Sequence, residues 1–274
     1  MQEIIRSHLT EIEAEEMVRI VYACESGSRA WGFPSIDSDY DVRFLYVRPL
    51  AWYLSIDAKR AVIERPIRDS LDISGWDLKK ALHLFRKSNA PLLEWLSSPI
   101  VYRDAYRVLA RMRDLAPLCY SPTACLHYYL HMLRRHFQEY LLGEQVRGKK
   151  LFYVLRPLLA MDWIALGLGV VPMQFSVLLK RLVTDPELRQ AIDRLVAAKR
   201  AGTESDRLPR LEPVTAFIER SLARWEAQPI PPHFRSVPGD ELDALFRACL
   251  AEAWQSQGHA TVHARSLSEE GMAR

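Results

Sequence analysis

The rhythm of apolar and polar positions changes at about residue 104. Before it, short runs of branched and aromatic residues alternate with turn-forming clusters. The spacing predicts a Glu-rich helix over residues 2–15, a strand over MVRIVYACES (17–26) and a short helix over SRAWG (28–32). YDVRFLYV (40–47) reads as a second strand, closed by Pro49. RAVIERPIRDSLDISGWD (60–77) reads as a hairpin, with Arg65 and Pro66 near its turn and SLDISG returning. Helices follow over 77–88 and 90–97, the second opening with Pro91 near its first turn.

From about residue 104 the period becomes helical. SPTACLHYYLHMLRRHFQEYLLG (121–143) starts on Ser-Pro and ends on Gly143. GKKLFYVLRPLLAMDWIALG (148–167) is a second long helix, with a kink expected near Pro157. Segments 174–182, 185–199, 211–226 and 239–256 are further helices, and 200–210 and 228–239 are loops. The pattern predicts an α+β unit with a small mixed sheet over 1–103, an all-helical unit over 104–256 and a flexible tail over 257–274. Periodicity does not say how the two units pack.

Composition narrows the class. Hydrophobic residues make up 49% and charged residues 26% of the 274, as in ordinary soluble domains. The formal charge of +3 permits a nucleotide or RNA partner without requiring one. The N-terminus lacks the apolar core of a signal peptide, and no run of about 18 apolar residues suggests a membrane span. A cytoplasmic protein is expected. Cys24, Cys119, Cys125 and Cys249 form no CxxC pair and read as reduced, buried thiols.

The stretch GSRAWGFPSIDSDYDVRFLY (27–46) concentrates the chemistry. Asp39 and Asp41 are two positions apart, so on a strand both carboxylates face the same way. Such a pair repels itself unless a cation sits between, and Mg²⁺ favours oxygen ligands completed by water and phosphate. Gly27 lets the backbone approach a phosphate closely, and Ser28 offers hydroxyl and amide donors. The combination reads as a metal-dependent nucleotidyl-transfer site. Alone, DSDYD is more often a set of turn acids, and Asp37 is read as a turn acid.

Gly-Ser, ten residues, then Asp-x-Asp resembles the DNA polymerase β-like nucleotidyltransferase superfamily. The longer strings GSRAWGFPSIDSDYDVRF, DISGWDLKKAL and KSNAPLLEWLSSPIVY resemble its RlaP branch, the RNA-repair-pathway nucleotidyltransferases. The resemblance is strong over residues 17–104 and weaker to about Ile164. It implies a polymerase-β-like catalytic domain, two Mg²⁺ ions with Mn²⁺ as a substitute, an NTP substrate and an RNA hydroxyl as acceptor. A protein AMP-transferase, a small-molecule nucleotidyltransferase and a non-catalytic nucleotide sensor are the rivals. No DNA-readout motif is present.

The resemblance also implies a third acid on a later strand. Asp72, in the apolar strand LDIS, is preferred to Asp77, which reads as the cap of the next helix. Catalytic and metal-binding roles are therefore expected for Asp39, Asp41 and Asp72. Arg29 reads either as a phosphate contact or as a solvated helix residue. Arg43 shares the face of Asp41, where it can balance the acids or approach the α-phosphate. Lys150, Tyr153 and Arg156 share a helix, read as a solvated basic face or as a triphosphate and base contact. The resemblance favours phosphate contact by Lys150 and Arg156. His127 and His131 stand at i, i+4 without a completing Glu and read as interhelical packing. Trp31 is the one tryptophan that falls in the phosphate-turn region.

Overall fold

A computed structural model describes residues 1–141, 145–202, 207–209, 212–232 and 239–255. The expected tail, 257–274, lies outside them. The first half runs α1 (Gln2–Glu16), β1 (Arg19–Ser26), α2 (Gly27–Trp31), β2 (Tyr40–Val47), α3 (Leu50–Tyr53), β3 (Val62–Glu64), β4 (Leu71–Asp77), α4 (Leu78–Arg86), α5 (Ala90–Leu96) and β5 (Val101–Asp104). There follow α6 (Val108–Cys119), α7 (Pro122–Tyr140), β6 (Gln145–Arg147), α8 (Gly148–Ala165), α9 (Phe175–Leu182), α10 (Pro186–Arg200), β7 (Arg207–Pro209), α11 (Glu212–Ala227) and α12 (Asp240–Trp254).

The main sheet has the order β3-β4-β2-β1-β5. β2 and β4 are parallel, and the remaining neighbours are antiparallel. β1 is buried on both faces, which explains its unbroken apolar reading. On β2 the side chains alternate. Val42, Phe44 and Tyr46 join a core beneath α1, whose Ile5, Leu9 and Ile12 form a helical stripe. Leu45 and Val47 join the larger core on the opposite face. Asp41 and Arg43 share the parity of Leu45, so they belong to the face covered by helices. Gly75, opposite Phe44 in the β2–β4 register, leaves room for that ring, since a Cβ there would lie 2.2 Å from it.

Helix starts follow local chemistry. Asp77, Asn89, Ser121 and Asp185 each accept a backbone N–H in the first turn of α4, α5, α7 and α10. Pro91, Pro122 and Pro186 stand in the first turns of α5, α7 and α10, where a missing N–H costs nothing.

The larger core is continuous from Val21 to Ala253, so the segments expected as separate units share it. α12 returns to contact α4, α6, β1 and β2. β5 straddles the expected boundary at 103/104. It was absent from the sequence expectation because VYRD is short and has little alternation; pairing with β1 makes it a strand. α3 and the short β6–β7 pair were likewise not expected, β7 falls within a segment expected as loop, and α6 lies in the stretch expected to be helical. All four cysteines are buried, and none is in a disulfide. No helix among the described residues is long and apolar enough to cross a membrane.

Candidate active site

The site is built where β1 ends, α2 begins and β2 starts. Gly27 takes a positive φ of +61°, and a Cβ there would stand 2.0 Å from Asp41 Oδ2. Glycine is therefore required twice, by conformation and by the closeness of backbone to carboxylate. In the sheet, Asp41 lies opposite Ser26 of β1 on one side and Asp72 of β4 on the other. Asp39 is exposed just ahead of β2.

Three groups hold this arrangement. The Asp41 amide donates to Glu25 Oε1 at 2.7 Å, and the Tyr102 hydroxyl donates to the other oxygen of the same carboxylate. Burial pushes the Glu25 carboxyl up, while these two hydrogen bonds pull it back. Arg29 donates to the carbonyls of Ser38 (2.7 Å) and Asp39 (3.2 Å), with its guanidinium 3.6 Å from the centre of the Tyr40 ring. It thus clamps the loop that carries Asp39. Arg43 donates to Asp72 Oδ2 at 2.7 Å and stands 3.4 Å from Asp41 Oδ1. It also donates to the Asp72 carbonyl at 3.1 Å. Arg43 therefore partly neutralises the two acids that the β2–β4 register brings together.

The donor set suits a hard divalent cation. Asp39 and Asp41 both offer carboxylate oxygens to one cavity with space for phosphate and water. No three His, Cys, Asp or Glu side chains among the described residues already close around one ion. The Asp72 carboxylate is turned onto Arg43. Asp77 is placed differently. It caps α4 through the Lys79 amide at 2.8 Å and accepts from the Tyr53 hydroxyl at 2.7 Å. Burial pushes its carboxyl up against those bonds.

The acids open onto a cavity of about 270 Å³. Ser26, Gly27, Ser28, Asp39 and Asp41 form one wall, and Phe152 and Tyr153 of α8 with Lys199 of α10 form another. A second cavity of about 360 Å³, which includes Met132, His136, Tyr140 and Lys150, shares Trp31, Glu94 and Tyr153 with the first. The Trp31 and Tyr153 rings meet edge-on at 5.9 Å. Lys150 Nζ stands 4.1 Å from the centre of the Tyr140 ring and 5.2 Å from that of Tyr153. The Tyr153 hydroxyl is pushed up by burial, then by Asp41, Tyr140 and Asp39 in that order. Tyr153 lines the same cavity as both acids.

Gly27, Ser28, Asp39, Asp41 and Tyr153 thus share one cavity, and Lys150 lines the adjoining one. Arg156 lines that adjoining cavity too, but its guanidinium is already engaged. It is 3% exposed and ion-paired with Glu94 at 2.6 Å, and it donates to the Pro172 and Met173 carbonyls. Its guanidinium stands 5.0 Å from the centre of the Trp31 ring. The geometry makes Arg156 a largely buried strut within the wall of the adjoining cavity. Arg156→Ala should cost about 3 kcal/mol in denaturant unfolding, because a buried guanidinium is lost and the part-buried Glu94 is left without its cation. A variant with unchanged stability but weakened NTP binding would return Arg156 to the phosphates.

Sequence reasoning missed Glu25 and Lys199. Glu25 was visible as a lone acid inside an apolar strand, whereas Lys199 reaches the cavity only through the tertiary packing of α10. His127 and His131 are exposed, which corrects the interhelical expectation; His127 meets the Pro231 carbonyl.

The Bacillus subtilis (strain 168) protein named "Uncharacterized protein YcgL" is 47% identical over 259 residues, covering 94% of this chain and 100% of that protein. A crystallised nucleotidyltransferase-like protein from Exiguobacterium sibiricum 255-15 aligns over 94% of this chain and 92% of its own. It has 14% identity and a TM-score of 0.30, a likeness too loose to carry an argument. Residues 1–248 match the family described as RlaP, the RNA repair pathway DNA polymerase beta family, and the chain belongs to that family.

Proposed function

We propose that this protein transfers a nucleoside monophosphate from an NTP to a hydroxyl of RNA. The observation that carries the reading is the placement of Asp39 and Asp41 beside Gly27 and Ser28, on one wall of a cavity closed by α8 and α10. Two Mg²⁺ ions, held by Asp39 and Asp41 with Asp72 on the acceptor side, would supply charge stabilisation for the attacking and leaving oxygens. Mn²⁺ is expected to substitute for them.

The chain's own residues have separable tasks. Gly27 keeps the backbone close to the acids, and the Ser28 hydroxyl donates to a phosphate oxygen. Lys199 and Lys150 offset triphosphate charge. Trp31 and Tyr153 flank the base. Arg43 holds Asp72 against the Asp41 strand until substrate arrives. The acceptor oxygen then bonds to the α-phosphorus, its proton passes to Asp72, and the bond to the β-phosphate breaks to release pyrophosphate.

RNA as the acceptor is supported by the family's description as an RNA-repair polymerase β family. The test is incubation of the purified protein and Mg²⁺ with each α-labelled NTP, in separate reactions holding RNA, cellular protein or small metabolites. Label in RNA is the expected result. Label in protein would make the enzyme an AMP-transferase, and label in a small product would move the acceptor there. No transfer from any NTP would overturn the reading.

A further inference from the structure

A second cavity, of about 690 Å³, lies away from the catalytic acids. It is lined by Asp77, the last residue of β4, whereas Asp72 stands near the start of that strand. The five intervening steps separate the two by about 17 Å. The walls come from the segment between α3 and β3, from the outer face of α4, and from α12. At about this size a cavity falls within the range of small-ligand sites.

Its charge is arranged in a line. Lys79, His83 and Arg86 stand at i, i+4 and i+7, one stripe of α4 about 10 Å long. All three are exposed. Lys59 faces them from the opposite wall, 5.7 Å from the centre of the Trp52 ring. Lys80 lies 5.4 Å from the centre of the Trp76 ring. None of Lys59, Lys79, Lys80 and Arg86 forms an ion pair among the described residues. Of the lining acids, Asp77 is already engaged by Tyr53 and the Lys79 amide, leaving Asp57 and Asp243. Trp52 and Phe246 add flat apolar surface.

We propose that this cavity docks a single-stranded RNA segment, whose phosphates follow the Lys79–His83–Arg86 stripe while a base lies against the Trp52 and Phe246 surface. A single phosphate is best held by cations that converge on one point. Cations strung along a helix beside aromatic rings suit a repeating phosphate backbone with stackable bases. The concave shape also suits a strand better than it suits a flat lipid surface. The site would hold the body of the acceptor while its end reaches the acids. That purpose rests on the proposed RNA acceptor, but the binding does not.

Fluorescence anisotropy of a labelled single-stranded RNA, measured against the full chain over a range of salt concentrations, tests the site without any transfer step. Lys79→Glu with Arg86→Glu should weaken binding at least about tenfold and flatten its salt dependence. Lys59→Glu, from a different segment, should weaken it in the same direction. Melting temperatures should stay near that of the unaltered protein, because these side chains are exposed and unpaired. Charge-reversed variants that bind RNA as tightly as the unaltered protein would overturn the site. A mononucleotide that competes as well as the oligomer would overturn the strand. If the protein transfers no nucleotide but this RNA binding behaves as stated, the enzymatic reading fails and the docking site stands.

Discussion

Asp41→Asn should lower nucleotide transfer at least about a hundredfold, equivalent to about 2.7 kcal/mol of barrier. The substitution keeps the shape of the side chain and removes one charge from the oxygen pair proposed to hold the cation. It should leave stability within about 0.5 kcal/mol, since the Asp41 amide still donates to Glu25 and the site is open to solvent. Asp39→Asn should behave similarly, because Asp39 is exposed beside the same cavity. Transfer rates and thermal melts of the two variants, measured side by side, check both halves of the expectation. Near-normal turnover in either variant would remove that carboxylate from the chemistry.

Gly27→Ala should be about as damaging, although it removes no functional group. The added methyl would stand 2.0 Å from Asp41 Oδ2, so the carboxylate must move. A displacement of about 1 Å in a phosphoryl-transfer site can cost about a hundredfold. The positive φ at Gly27 adds backbone strain of about 1–2 kcal/mol. Gly167→Ala separates the two effects. Gly167 has a similar φ of +67°, but nothing lies within 4 Å of the Cβ it would gain. It should lose comparable stability and keep its activity. If Gly27→Ala and Gly167→Ala show the same activity, the close approach to Asp41 has no catalytic weight.

The Gly-Ser turn of the candidate site was legible because its determinants are local. Gly27, Ser28, Asp39 and Asp41 fall within fifteen residues of one another, and the short spacing keeps the two acids together although Asp39 lies just ahead of the strand. The capping of α4 by Asp77 was legible for the same reason, since a cap depends on the residues immediately after it. Partners across the fold were less accessible. Arg29 and Arg156 are cations in helices, and sequence offers no way to distinguish a phosphate from a loop carbonyl or from Glu94 as the group they meet. In the structure both are taken up by the protein itself. Lys199 was hidden for a different reason. It reads as an ordinary residue of an amphipathic helix, and only the packing of α10 against the turn after α2 brings it to the cavity. That packing is fixed in part by Arg200, which donates to the Gly32 carbonyl at 2.9 Å. The return of α12 to the sheet depends on core contacts between distant parts of the chain, which no local period encodes.

The most direct test is a crystal structure of the protein with Mg²⁺ and a non-hydrolysable NTP. The triphosphate should lie in the cavity between α2 and α8, with a metal about 2.0–2.2 Å from oxygens of both Asp39 and Asp41. Asp72 should leave Arg43 and stand at a metal or one water away, while Asp77 stays on the cap of α4. A triphosphate bound elsewhere, or a metal held without Asp39 and Asp41, would contradict the assignment of this site.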